Sequence, residues 1–286
     1  MPPTGDASPG SPTGDAHPVL AVTGEALAGP EGRPLRRYPV AVSAGAMALA
    51  WARQEAAPEG AAVVASHELY PLDRFGRPWT VPSESTLACA IVLRPALPAV
   101  LADAVWLAGG LVALEGAEAA SGMALATWWP DSVVDPATRQ VVCAVKADIQ
   151  LGPGKVRSAV LTIRANLDLL GLGLAGEEAL LEALLVAARS LGSQLASADP
   201  QPGTEPAAER APFDAAPTLP AAARLAELYT ERCGLIGEPV RATLLPKGET
   251  RGYAHVVDEA AALHIKSATG MIERISINMV RALEVI

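Results

Sequence analysis

The chain has 286 residues, 50% of them hydrophobic, and a formal net charge of −9. That length supports one large core, or a medium domain with a small one, and excludes a short peptide-like factor. The acidic balance, with Lys and Arg scattered rather than clustered, gives no surface for tracking phosphates, so nucleic acid is not an expected partner.

Residues 1–35 are rich in Pro, Gly, Thr and Asp and lack the basic start and apolar stretch of a signal peptide. They are expected to form a disordered tail. The first helix is predicted from Ser43 to Gln54, an Ala-rich stretch with Met47 and Leu49. The turn Pro58-Glu59-Gly60 then leads into a short apolar strand, Ala61 to Ser66. A turn at Pro82 to Glu84 precedes the continuous apolar run Leu87 to Leu93, which reads as a strand covered on both faces. A helix from Ala99 to Leu114 is predicted to pack on that sheet. The whole stretch from Leu87 to Leu114 is interrupted by Arg94, Pro95, Pro98 and Asp103, which suits a buried strand and helix rather than a membrane span.

Three β segments follow, Leu125 to Val134, Gln140 to Gln150 and Val156 to Leu167, separated by the turn residues Asp135-Pro136 and Gly152-Pro153-Gly154. Glu177 to Leu195 has helical Leu and Ala spacing, residues 198–218 read as a disordered Pro-rich insert, and residues 219–235 resume as a connecting helix. From 236 to 286 five short alternating runs predict a small β-barrel domain that needs a larger neighbour for stability. The ordered core is thus expected over 36–197. Cys89, Cys143 and Cys233 stand far apart with no Cys-x-x-Cys pair, so neither a disulfide framework nor a thiolate metal site is expected, and a reducing cytoplasm fits.

Several residues follow one another in a distinctive order: Arg74-x-Gly76-Arg77-x-Trp79, Pro82, Leu87 to Pro95, Trp129-Pro130-Asp131, Asn166, then Gly237-x-x-Val240, Gly252 and Asp258. This series resembles the biotin–protein ligases, over Tyr38 to Ile286. The resemblance implies an α+β fold, a biotin/lipoate ligase-type mixed sheet with flanking helices and a C-terminal SH3-like β-barrel. No counterpart of the family's N-terminal DNA-binding winged helix is expected. It also implies biotin and ATP as ligands, with magnesium as the ATP counter-ion, and a biotin carrier protein as acceptor. A homodimer, or a heterodimer with an active ligase paralogue, is a further implied partner arrangement.

Against the family pattern this chain departs at many positions. The family's Gly-Arg-Gly-Arg-x-Gly loop reads Pro71-Leu72-Asp73-Arg74-Phe75-Gly76, so one arginine is Leu72 and one glycine is Asp73. The lysine of the family's Lys-Trp-Pro-Asn-Asp segment is Trp128, that of its Lys-Leu-Ala-Gly strand is Gln140, and its Gly-x-Gly-x-Asn strand reads Thr162 to Asn166. The family's Ser-Thr-Asn motif is Ser43-Ala44-Gly45, and its glutamine is Glu68. Adenylate formation rests on charge stabilisation, and losing one donor costs about 10²–10³ in rate. The expectation is a degenerate site, weak or inactive, with no assignable catalytic residue, that binds a ligand or pairs with an active ligase; the alternative is a working ligase for biotin, or for lipoate or another acyl group, in which Arg74, Arg77, Asp131 and Asn166 are helped by further basic residues, Arg164 or Lys146 among those that could point into the site.

Candidate ligand contacts are Arg74, Gly76, Arg77, Trp79, Trp128, Trp129, Asp131 and Asn166. Each has a bland counterpart. Arg74 and Arg77 read equally as surface arginines, Trp128 and Trp129 as core, with Trp129 the more apt, and Asp131 as a turn residue. Cys143 reads as a buried small hydrophobe rather than a nucleophile, and His67 as a surface histidine.

Overall fold

The computed structural model describes residues 25–28, 32–196 and 220–286. The insert expected at 198–218 and most of the expected N-terminal tail lie outside them. The sheet starts earlier than composition suggests. Strand β1 (Glu25–Ala28) pairs antiparallel with β2 (Pro34–Tyr38), which runs parallel to β3 (Ala62–Ala65). The expected tail therefore loses residues 25–28 and 34–35 to the sheet. Its signal is masked because β2 carries Arg36 and Arg37 between its buried Leu35 and Tyr38; these arginines pair with Glu55 and with Glu177 and Glu178.

Helix α1 (Ala44–Gln54) begins where Ser43 turns extended and its hydroxyl accepts from the Ala46 amide at 3.1 Å. Strand β4 (Thr86–Leu93) is buried on both sides: Ala90 and Val92 meet α1, while Cys89 and Ile91 meet the opposite layer. Helix α2 (Ala104–Ser121) begins five residues later and runs seven residues further than expected. A short 3-10 turn at Ala99–Leu101 intervenes, and Gly122 at φ 71° ends the helix. Two of its glycines allow close packing, since a Cβ on Gly109 would lie 2.7 Å from Val145 and one on Gly116 would lie 2.6 Å from Leu184.

The segment predicted as one strand from Leu125 to Val134 is a hairpin. Strands β5 (Ala126–Trp128) and β6 (Ser132–Val134) pair antiparallel around the turn at Trp129-Pro130. Strands β7 (Val141–Leu151) and β8 (Val156–Asn166) complete an eight-stranded mixed sheet of order β1-β2-β3-β4-β8-β7-β6-β5. Helices α3 (Glu177–Ala196) and α4 (Pro220–Arg232) pack with α2 on one face, opposite α1.

The C-terminal strands β9 (Pro239–Leu244), β10 (Glu249–Val257), β11 (Leu263–Lys266), β12 (Ile272–Ile275) and β13 (Val280–Val285) form an antiparallel sheet of order β12-β11-β10-β9-β13. It is docked on the main unit. Val240, Leu263, Ile275 and Val280 belong to the same buried cluster as α2, and the Trp129 indole donates to the Ala261 carbonyl at 2.9 Å. Among the described residues no helix is long and apolar enough to cross a membrane.

Candidate functional site

The loop from Pro71 to Trp79 folds around its own carboxylate. Asp73 Oδ1 accepts from the amides of Phe75 and Arg77, both at 2.8 Å, and its Oδ2 accepts from Arg77 Nε at 2.6 Å. Burial pushes the Asp73 carboxyl up. The two amides and the Arg77 guanidinium outweigh that and hold it below the usual carboxylate range. Backbone bonds from Asp73 to Arg77 and from Trp79 to Pro71 close the loop, and Gly76 turns its tip at φ 75°. Asp73, which would repel a phosphate, is what gives the loop its shape.

Arg74 points out of the loop toward the C-terminal sheet. Its Nε pairs with Asp131 at 2.8 Å, and its terminal nitrogens donate to the carbonyls of Ile277 at 2.7 Å and Val280 at 3.3 Å. Its guanidinium also lies 4.0 Å from the Phe75 ring centroid. Burial lowers the Arg74 pKa, and the Asp131 charge opposes that shift without cancelling it. Asp131 and Arg74 thus form a latch between loop, β5–β6 turn and second sheet.

The deepest charges are Glu68 and Arg164, each with a side chain only 4% exposed. Arg164 Nε donates to Glu68 Oε2 at 2.5 Å and one Nη to Oε1 at 3.2 Å, while the other Nη donates to the Leu72 carbonyl at 3.1 Å. Glu68 Oε1 also accepts from the Ala44 amide at 2.7 Å, at the positive N-terminus of α1. The first turn of α1 is packed rather than open. A Cβ on Gly45 would lie 2.3 Å from Thr162 Oγ1, so glycine is what lets the helix approach β8.

Between loop and sheet lies a cleft of about 200 Å³. Trp79 and Val145 wall it, Ser132 and Asp131 stand on one side, and Arg77, Lys146 and Arg164 line it. Lys146 pairs with Asp148 at 3.2 Å. The three cations of the lining and the neighbouring Arg74 therefore each have one carboxylate: Arg77 with Asp73, Lys146 with Asp148, Arg164 with Glu68, and Arg74 with Asp131.

Of the candidate residues, Arg77, Trp79 and Asp131 come together at the cleft. Trp79 is fixed there by its indole bond to Thr86 Oγ1 at 3.2 Å. Arg74 is diverted to the latch, and Gly76 sits at the loop tip with open space around it. Trp129 is core, 1% exposed. Trp128 is half-buried, its ring packing near Gly234 and 6.0 Å from the Arg139 guanidinium, away from the cleft lining. Asn166 spends its carbonyl on the following turn, accepting from the amides of Asp168 and Leu169, both at 3.1 Å. Cys143 is fully buried and burial pushes its thiol up, which makes it a poor nucleophile.

The Glu68–Arg164 pair was the element hardest to see in sequence. Resemblance singles out Glu68 but not its role, and the other signal is a charge in the apolar run Val160 to Ala165, which demands a buried partner without naming it.

No family model matches the chain. The bifunctional ligase/repressor BirA of Bacillus spizizenii is 26% identical over 112 residues, a match that covers 39% of this chain and about a third (34%) of the relative. Among solved structures, the biotin protein ligase of Aquifex aeolicus in complex with biotin and ATP superposes with a TM-score of 0.62 at 17% identity, covering 88% of this chain and 99% of that one. A biotin protein ligase-like protein of unknown function from a Silicibacter species gives 0.58 at 14% identity, covering 86% and 95%. The fold is that of the biotin protein ligases.

Proposed function

We propose that this chain is a ligase-fold protein whose site is weak or inactive in adenylation, and that it binds a ligand or pairs with an active ligase. The observation that carries this reading is the one-to-one pairing of Arg74, Arg77, Lys146 and Arg164 with carboxylates. A polyphosphate with its magnesium needs cations that are available without breaking other pairs, and transition-state charge stabilisation is the largest part of such catalysis. A cleft of about 200 Å³ is also below the ~300–1,000 Å³ usual for small-molecule sites. Biotin and ATP, which the Aquifex protein holds together, do not fit this arrangement.

A reducing cytoplasm suits three free, buried cysteines. A carrier protein or a ligase paralogue is the partner class in keeping with the fold, as a homo- or heterodimer. The test is incubation with ATP, magnesium, biotin and a biotin carrier domain. No biotin-dependent AMP and an unlabelled carrier are expected; ordinary ligase-like turnover overturns the reading.

A working ligase with a rearranged site is the second reading, favoured by Lys146 and Arg164 lining the cleft. Turnover that disappears in Lys146→Met would establish it.

A further inference from the structure

A second concavity of about 480 Å³ lies outside the cleft, between the loop and the C-terminal sheet, lined by Phe75, Arg77, Thr243, Leu245, Arg281 and Ala282. Its volume falls inside the range of about 300–1,000 Å³ typical of small-molecule sites. Arg281 is the extra residue of a β-bulge, where the β13–β9 register shifts between Val280 and Ala282. Bulges re-aim a side chain, and this one presents Arg281 to the groove. Among the described residues Arg281 forms no salt bridge, unlike Arg74 and the three cations that line the cleft. Arg77 faces the groove as well, 65% exposed, with its Nε committed to Asp73. The remaining walls are apolar: Phe75, steadied by Arg74 at 4.0 Å and Arg77 at 5.3 Å from its ring centroid, and the exposed side chain of Leu245.

We infer that this groove binds a small amphipathic carboxylic acid, its carboxylate between Arg281 and Arg77 and its apolar body along Phe75 and Leu245. Two guanidiniums and the Thr243 hydroxyl match one planar oxyanion, for which the arginine fork is suited. Among the described residues the groove's lining includes no helix, so a polyphosphate lacks the helix N-terminus that commonly supplies its additional donors. The apolar walls give affinity to a ligand with a hydrocarbon or aromatic body and none to a bare ion. The inference goes beyond the proposed function and is independent of whether the cleft adenylates.

The experiment is calorimetric titration of the full chain with 2-naphthoate, its uncharged analogue 2-naphthamide, acetate, inorganic phosphate and AMP. Saturable one-site binding of naphthoate is expected, with naphthamide at least about tenfold weaker, since a charged hydrogen-bonded pair is worth about 1.5–3 kcal/mol, and acetate also at least about tenfold weaker, since it lacks the body that the apolar walls bury. Arg281→Ala should weaken naphthoate by about tenfold or more, Arg281→Lys should recover part of it, and raising salt should weaken the native protein. Arg281 is exposed, so the variants should keep the native circular dichroism. Absence of naphthoate binding, equal affinity for the amide, tighter binding of AMP or phosphate, or indifference to Arg281→Ala would each overturn the inference.

Discussion

The cleft and the groove beside the C-terminal sheet share Arg77 and treat charge in opposite ways. In the cleft every cation is matched by a carboxylate, and the deepest pair, Glu68–Arg164, also closes the start of α1. In the groove Arg281 stands on a bulge beside apolar walls, with no salt bridge among the described residues. The difference teaches where to look for a ligand. A charge already satisfied inside the protein contributes to shape and must be pulled away from its partner to bind anything, whereas an unpaired one at a concave surface is ready to bind.

The contrast can be broken most forcefully at Glu68. Removing one partner of a buried ion pair leaves the other charge uncompensated, at a cost of about 3–5 kcal/mol, so Glu68→Ala should lower stability by that much in urea denaturation. Glu68→Gln combined with Arg164→Gly should cost less than the sum of the two single changes, because both charges leave together. Additive losses would mean that the pair is not the unit described.

Next in size is the latch. Arg74→Ala removes charge-assisted bonds to Asp131 and to the carbonyls of Ile277 and Val280, an expected loss of about 1–3 kcal/mol. Amide exchange should quicken at residues 71–79 and 277–280 together. Faster exchange in the loop alone would dissociate the loop from the second sheet.

Arg281→Ala should fall within about 0.5 kcal/mol of the native stability, as surface substitutions usually do, while weakening naphthoate binding by about tenfold or more. A large stability loss would place Arg281 with the structural arginines of the cleft.

The smallest effect is that of pH on the loop. The Asp73 carboxyl is held below its ordinary value in the folded chain, so its contribution is fully present above the unfolded value, about 3.9. It is lost as pH falls through the lower folded value. Amide exchange of Phe75 and Arg77 should therefore accelerate only in that acid range, and Asp73→Asn should remove the dependence.

How much of this was legible in the chain depends on the kind of signal. Helix α1, β4, β8 and the C-terminal strands were legible because apolar periodicity and turn residues are local. The hairpin at Trp129-Pro130 was not, since Leu125 to Val134 reads as one apolar segment until the partner strand β7 fixes β6. Strand β2 was hidden by Arg36 and Arg37, whose partners lie on distant helices. Around the cleft, the altered residues Asp73 and Glu68 could be found by resemblance, but not what they do. Asp73 reads in sequence as a repulsive charge, and only the fold reveals that it organises the loop; Arg164 and Glu68 are 96 residues apart until β8 and the loop meet.

The central claim, that the paired cleft no longer stabilises an acyl-adenylate, is tested most directly by a single-turnover experiment. The protein in excess is mixed with labelled ATP, magnesium and biotin, and protein-bound biotinyl-AMP is measured after rapid quench. No adenylate above the biotin-free control is predicted, in the native chain and in Leu72→Arg alone, with partial recovery only when Asp73→Gly, Trp128→Lys and Gln140→Lys are added. Near-stoichiometric biotinyl-AMP on the native protein would contradict it.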